Sequence, residues 1–404
     1  MMENGFRFDP PEFELATDTV WVLARAFGPM DVPFGERVDS SRAIDVSERL
    51  GLTARIGARI PAGRLLAEVG EMAVATFTKA YADAAALDLA AAGLCRQLAI
   101  LGETLRLPVI VLKGAALRES GVTPRGSRQA CDVDVLTLES RLDDLHGALV
   151  SEGYRVSGMR GAEHELEALY HPSGLMVEVH RYLRGVRISE ERIATADHLL
   201  DYGLCRGSDN DAVGLLVPEP HVLLAHLLVH GIAQHGHAPW SYPLLRLVGD
   251  VQDMGLDSDG WSGFLDRGWR WIAGDVSRRE ATAVWELGRR LATGEAPQSI
   301  IDGREPAGLI LSHMVEGTLD DEYQRSLRLH HLMHPVAGTS TRRTILRKVT
   351  TNVWLRRGEI DQIYGPQPNA ARYLAMRLWR PVDLALQAVG SFRARSAVKK
   401  RRRK

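Results

Sequence analysis

Two carboxylates one residue apart, Asp132 and Asp134 in the run CDVDVLT, carry the most chemistry in their spacing. On a β-strand side chains alternate, so both acids of an Asp-x-Asp pair face one way and their charges lie side by side. Like charges held that close repel unless a cation lies between them. Mg²⁺ suits the task, because it takes carboxylate oxygens and keeps positions open for phosphate. A third acid on a neighbouring strand would complete a two-metal arrangement that clamps the attacking and leaving oxygens of phosphoryl transfer. Glu178 in VEVH, between Val177 and Val179, is the candidate. An Asp-x-Asp alone is commonplace on an exposed strand. Three acids set among apolar neighbours on strands point to a site, since such positions are normally filled by core residues.

A second group lies just upstream. Lys113-Gly114 directly follows the apolar run PVIVL and opens the helical stretch AALRES. Glycine lets the backbone approach a phosphate closely, and the first N–H groups of a helix favour an anion. Lys113 adds a point charge. A surface lysine at an ordinary strand-to-helix turn reads the same residues, and the phosphate-loop pattern GxxxxGK[ST] is absent. Arg128, four residues before Asp132, has the planar fork that suits phosphate oxygens; a structural salt bridge to a nearby acid is its other reading. Histidines 221, 226, 230, 235 and 237 crowd one helix and its end, with His226 and His230 sharing a face. Leu227 stands where an HExxH motif needs Glu, so they read as core or substrate-pocket histidines, and Asp250 as a pairing partner or a pocket residue.

The elements that must position these groups follow from composition and period. Residues 65–105 are rich in Ala and Leu, without Pro, and predict long helical structure ending near Pro108. Before them, a helix entered through Ser40 or Ser41 as cap is expected over SSRAIDVSERLGL. LPVIVL and CDVDVLT read as strands, LESRLDDLHGALVSEGY as a helix, and LEALYH-PSG-LMVEVHRYL as a hairpin about its Pro-Ser-Gly turn. Past the polar segment CRGSDNDAVG the chain turns helical, in EPHVLLAHLLVHGIAQHG from Pro220, PLLRLVGDVQDMG and ATAVWELGRRLATG. Trp240, Trp261, Trp269 and Trp271 fall around these helices as core. The fold class expected is α+β: a small mixed sheet with packed helices, then a C-terminal helical domain. The divisions expected are an N-terminal extension over 1–60, the core over 61–205, the helical domain over 206–335, and a helical, basic tail over 336–404.

Bulk properties narrow the function classes. The chain has 404 residues with 50 Lys or Arg against 51 Asp or Glu, a formal net charge of −1, which argues against a nucleic-acid binder along its whole length. The positive exception is RARSAVKKRRRK at the end. Such a run is commonly a solvated extension; nucleic acid or an anionic membrane is the alternative partner. The preceding ARYLAMRLWRPVDLALQAVGSF mixes apolar residues with Arg, and Pro381 is expected to interrupt a single long amphipathic helix there. Cys95, Cys131 and Cys205 are few and widely spaced, with no CxxC, which reads as a reducing compartment. No signal-peptide pattern and no uninterrupted apolar run of about 20 residues is visible, and a cytoplasmic location is expected.

Taken together, VIVLKGAAL, RQACDVDVL and VEVHRYL resemble the nucleotidyltransferase superfamily built on the DNA polymerase β-type catalytic core. They look most like its bacterial branch known as nucleotidyltransferase family proteins, whose pattern is LKG, an Arg four residues before the first Asp, DxDLL, and a later acid followed by x-His. On that resemblance Asp132 and Asp134 match the metal pair, Glu178 the third acid, Arg128 the arginine and His180 the histidine. LLVHGIAQHG and LLRLVGD, with His230 and Asp250, resemble the branch's helical half. The resemblance spans roughly residues 89–256 and departs in two places. Ala115 follows Gly114 where the wider superfamily has Ser, and the stretch from Gly114 to Asp132 is long. It implies transfer of a nucleoside monophosphate from a nucleoside triphosphate to an unidentified acceptor, with Mg²⁺ or Mn²⁺ on Asp132, Asp134 and Glu178, and with Lys113, Gly114, Arg128 and His180 around the nucleotide. The alternative is a non-catalytic binding or regulatory protein on the same fold.

Overall fold

The computed structural model describes residues 14–129, 132–158, 163–189, 192–209, 214–234, 244–272, 276–321, 324, 360 and 369–401. Three short helices come first: α1 (Thr17–Phe27), α2 (Ser40–Arg49) and α3 (Thr53–Arg59). The cap of α2 is Asp39, one residue before the expected serines. Its carboxylate accepts from the backbone N–H groups of Ser41 and Arg42, and a charged acceptor satisfies first-turn donors better than a hydroxyl. Helix α4 (Ala62–Leu105) follows as the Ala- and Leu-rich sequence requires, with a kink at Gly70, whose φ of 77° leaves the helical region. By length and composition α4 is the one described helix apolar enough to cross a membrane. It also lies against α2, α3 and the sheet, burying Leu94, Leu98 and Phe77 in the core.

The sheet uses β1 (Val109–Val111), β2 (Asp132–Leu136), β3 (Arg155–Val156), β4 (Leu169–Tyr170), β5 (Met176–His180), β8 (Cys205–Gly207) and β9 (Leu215–Pro218). Their order is β3-β4-β5-β2-β1-β9-β8. Strands β2 and β5 run parallel, as do β1 and β9, while β1 and β2 are antiparallel, so the sheet is mixed. The inner strands are apolar on the face that α4 covers: Val133, Val135, Val177 and Val179 are fully buried. Helices α5 (Lys113–Glu119) and α6 (Leu142–Ser151) connect the strands. A two-stranded sheet, β6 (Leu183–Arg187) with β7 (Ile193–Ala194), and α7 (Ala196–Asp201) precede β8.

The β8–β9 hairpin is a departure from the sequence expectation, which reads CRGSDNDAVG as a polar connection straight into helices. Its strands are three and four residues long, too short for a visible alternation, and pairing with β1 stabilises them. The chain then runs through α8 (Pro220–Leu228), which continues in a wider π-helical turn over Val229–Gln234, and α9 (Leu244–Asp253), α10 (Ser258–Arg267), α11 (Arg278–Ala292), α12 (Pro297–Asp302) and α13 (Pro306–Leu319). The architecture is α+β, as expected. Helix α8 packs on α5, β6 and β9, and α9 packs on α8 and α11. A buried ion pair between Arg55 and Asp253, 2.8 Å apart, ties α3 to α9.

The last described element is α14 (Ala370–Arg401). It runs unbroken through Pro381, against the expected interruption. The missing N–H costs one backbone bond, and the ring lies exposed on the outside of the helix, where it meets no packed neighbour. His235, His237, Trp240 and Cys131 lie outside the described residues.

Candidate active site

Strand pairing sets Glu178 beside Asp134, with Asp132 two residues along the same strand. In the parallel register of β2 with β5, Asp134 stands opposite Glu178 and Asp132 opposite Met176. Because side chains alternate, Asp132, Asp134, Glu178 and His180 all share one face, away from the buried valines. Asp134 is the buried centre at 2% exposure, while Asp132 and Glu178 are partly exposed.

Lys113 does not point away into solvent. Its φ of 47° puts it in the left-handed region, uncommon for a residue with a side chain, at the first position of α5. From there its Nζ donates to Asp134 Oδ1 at 2.6 Å and lies 4.0 Å from Glu178 Oε2. His180 Nε2 donates to the same Asp134 oxygen at 2.8 Å and lies 3.8 Å from Glu178. Burial works against every charge here. It would raise the Asp134 carboxyl, but Lys113 and His180 outweigh it and hold that group well below the usual carboxylate range. Burial likewise disfavours the Lys113 ammonium, and Asp134 with Glu178 overcomes it, so its pKa is raised. Glu178 is not rescued in this way. Burial and then the charge of Asp134 push its carboxyl up to about 9. Asp132 is raised for the same two reasons.

Those two raised carboxyls test whether a divalent cation fits. Three carboxylates share one sheet face, two of them partly exposed, and the positive charge supplied by Lys113 falls short of holding all three ionised. A Mg²⁺ or Mn²⁺ ion at Asp132, Asp134 and Glu178 would supply the missing charge, and oxygen donors suit both ions. Asp134, Glu178 and His180 also offer ligand atoms within 4.8 Å of one another.

Arg128 and Gly114 are explained by each other. An added Cβ at Gly114 would lie 2.0 Å from Arg128 Nη1 and 2.8 Å from its Cζ, so the guanidinium occupies the space a side chain would need. Arg128 Nε donates to Asp250 Oδ1 at 3.0 Å, both groups being buried. The structural ion pair weighed from sequence is therefore formed, and it joins the sheet region to α9 across 122 residues of chain.

Sequence reasoning missed three neighbours. His164 sets its ring 5.4 Å from that of His180, tilted by 43°, and burial, with His180, Arg184 and Lys113 adding, pushes it down to about 3, so it is neutral. Glu165 faces His180 across an isolated bridge and adds to the charge that raises Glu178. Arg246, one turn before Asp250 on α9, acts electrostatically on Asp132. The first two lie in irregular chain, where no period marks a face. Arg246 was hidden in an unremarkable helix, and only its i, i+4 relation to Asp250 could have singled it out. Of the histidines on α8, His226 is buried and held neutral, first by burial and then by Lys113 and His180; its Nδ1 has no hydrogen-bond partner. His230 lies beside it at 6.4 Å between ring centres. His221 packs against Trp271 on the far side of α8.

A family model described as an uncharacterised nucleotidyltransferase matches residues 36–272. No curated protein and no solved structure matches the chain. The matched span contains β1, β2, β5, α8 and α9, and so every residue of the site described above.

Proposed function

Since the chain belongs to this nucleotidyltransferase family, whose model covers more than half of it, we propose that it transfers a nucleoside monophosphate from a nucleoside triphosphate to an acceptor hydroxyl or similar nucleophile, with Mg²⁺ or Mn²⁺. The observation that carries this reading is the register that sets Glu178 beside Asp134 while Asp132 shares their face. The motif pattern LKG, DVDVL and VEVH supports membership of the bacterial branch named above.

Asp132, Asp134 and Glu178 would hold the metal, which would supply charge to offset the triphosphate and polarise the phosphorus under attack. Lys113 carries a positive charge that faces Asp134 and turns toward phosphate oxygens when they arrive. Arg128, fixed by Asp250, and Arg246 add positive charge on the α9 side. Gly114 keeps the turn free of a side chain so that Arg128 stays over it. The acceptor attacks the α-phosphorus with pyrophosphate leaving. On the proposed division of the chain, residues 61–205 supply the metal and triphosphate groups, and residues 206–335 wall the acceptor pocket with His230 and the neutral His226.

The experiment is to incubate the purified chain with each nucleoside triphosphate, Mg²⁺ or Mn²⁺, and a metabolite or protein extract, and to look by mass spectrometry for a nucleotide-sized mass gain. The gain should vanish with Asp132→Asn/Asp134→Asn. Its persistence in that double variant contradicts the proposal.

One observation favours a second reading. The Lys113 ammonium already neutralises Asp134 at 2.6 Å, and Ala115 stands where the wider superfamily places a phosphate-touching Ser. A non-catalytic binding or regulatory protein would keep this internal pair and bind nucleotide without turning it over. Nucleotide binding with no product under any acceptor mixture would support it.

A further inference from the structure

Helix α14 leaves an apolar stripe exposed. Leu374, Leu378, Trp379, Val382, Leu386 and Val389 are all exposed, between 46% and 65%. At the helical period they fall within one arc of roughly 140°, a continuous apolar stripe about 24 Å long. The opposite face is mixed, with Tyr373, Met376 and Leu384 partly buried beside polar groups. Arg380 is buried and donates to Asp383 at 2.8 Å, and Gln387 donates to the other oxygen of that carboxylate. A surface helix ordinarily turns its apolar stripe inward, so this one is built to meet something outside the protein.

Charge identifies what it meets. From residue 370 to residue 404 the sequence has eleven Lys or Arg and a single acid, Asp383, in a chain whose overall net charge is −1. A second copy bringing the same positive segment to the stripe would be repelled by it. Nucleic acid would satisfy the charge and leave the Leu and Val stripe in water. A surface that is anionic at its face and apolar just beneath satisfies both. We infer that α14 docks in the plane of an anionic lipid bilayer, with its Leu, Val and Trp stripe at the acyl boundary and its arginines and lysines among the headgroups. The inference uses no residue of the acidic site and stands apart from the nucleotidyl-transfer reading.

The test is flotation of the full chain with vesicles of phosphatidylcholine alone or mixed in equal parts with phosphatidylglycerol. Binding is expected only to the mixed vesicles and should weaken as salt rises. Leu378→Glu/Leu386→Glu alters two exposed side chains, so folding is retained, and it should weaken binding at least about a hundred-fold. Replacing the six basic residues from Lys399 to Lys404 with Gln should reduce both the binding and its salt dependence. Fluorescence quenching by brominated lipid should fall in Trp379→Phe. Four results overturn the inference: no flotation with mixed vesicles; equal flotation with phosphatidylcholine; undiminished binding by the double glutamate variant; or a dimer in light scattering that this variant dissolves. Tighter retention by single-stranded RNA than by mixed vesicles, unaffected by the glutamates, also overturns it in favour of nucleic acid.

Discussion

Replacing Glu178 with Gln should stabilise the metal-free protein at neutral pH, although it removes a residue from the proposed centre of activity. Burial and the charge of Asp134 raise the Glu178 carboxyl from its ordinary 4.5 to about 9. In the unfolded chain that carboxyl ionises above about pH 4.5, whereas the folded protein keeps its proton until about pH 9. The unfolded state therefore binds fewer protons across this window, and stability falls as pH rises through it; below and above the window the contribution is flat. At pH 7 the penalty amounts to about 3 kcal/mol, from some two and a half pH units at 1.36 kcal/mol each. Gln has nearly the same shape and no charge to desolvate, so Glu178→Gln should recover most of that. Chemical denaturation in chelator at several values between pH 5 and 9 is the assay. The wild type should lose stability toward high pH, and the variant should not. Added Mg²⁺ should reverse the order, because the ion stabilises an ionised Glu178 and gains little from Gln. If Glu178→Gln is less stable than wild type in chelator at pH 7, the site already balances its own charge and the argument for a missing cation is wrong.

Three other substitutions probe the neighbours. Asp134→Asn should behave oppositely to Glu178→Gln, losing roughly 3–5 kcal/mol in chelator because the buried Lys113 ammonium is left without its carboxylate; equal stability by denaturation would show that Lys113 readily escapes to solvent. Gly114→Ala should displace the Arg128 guanidinium and cost about 1–3 kcal/mol by thermal unfolding, and Arg128→Ala in the same chain should remove most of the added clash, a coupling readable from the double-variant cycle. His226→Leu should leave stability within about 1 kcal/mol of wild type, since its Nδ1 bonds to nothing in the protein, yet should impair product formation on the proposal that His226 lines the acceptor pocket.

Much of the fold was legible where the pattern is local. Val133 and Val135 alternate with Asp132 and Asp134, and Val177 and Val179 flank Glu178, so the strands and the outward facing of the acids could be read from period alone. Residues 62–105 form a helix because Ala and Leu dominate and Pro is missing. What could not be read is pairing. Nothing in VEVH says that it lies parallel to DVDVL with Glu178 opposite Asp134 and not one place along, because register is set by the packing of both faces. The Arg128–Asp250 pair is equally silent in sequence, with its partners on a loop and on a distant helix. The Lys-Gly turn is compatible in sequence with either a phosphate ligand or a surface lysine at Lys113. Only the positive φ that swings its side chain back over the sheet puts it on Asp134. Short strands such as β8 and β9 carry no period, and the α14 stripe was partly masked by the expectation that Pro381 ends a helix.

Mn²⁺ titration followed by electron paramagnetic resonance reads directly whether Asp132, Asp134 and Glu178 together grip a divalent cation. The wild type should deplete the free-ion signal at a protein-bound site, binding should strengthen as pH rises toward 9 because the proton on Glu178 must leave, and Asp132→Asn/Asp134→Asn should not bind. A wild-type protein that leaves the free Mn²⁺ signal unchanged, with and without nucleoside triphosphate, would contradict that binding.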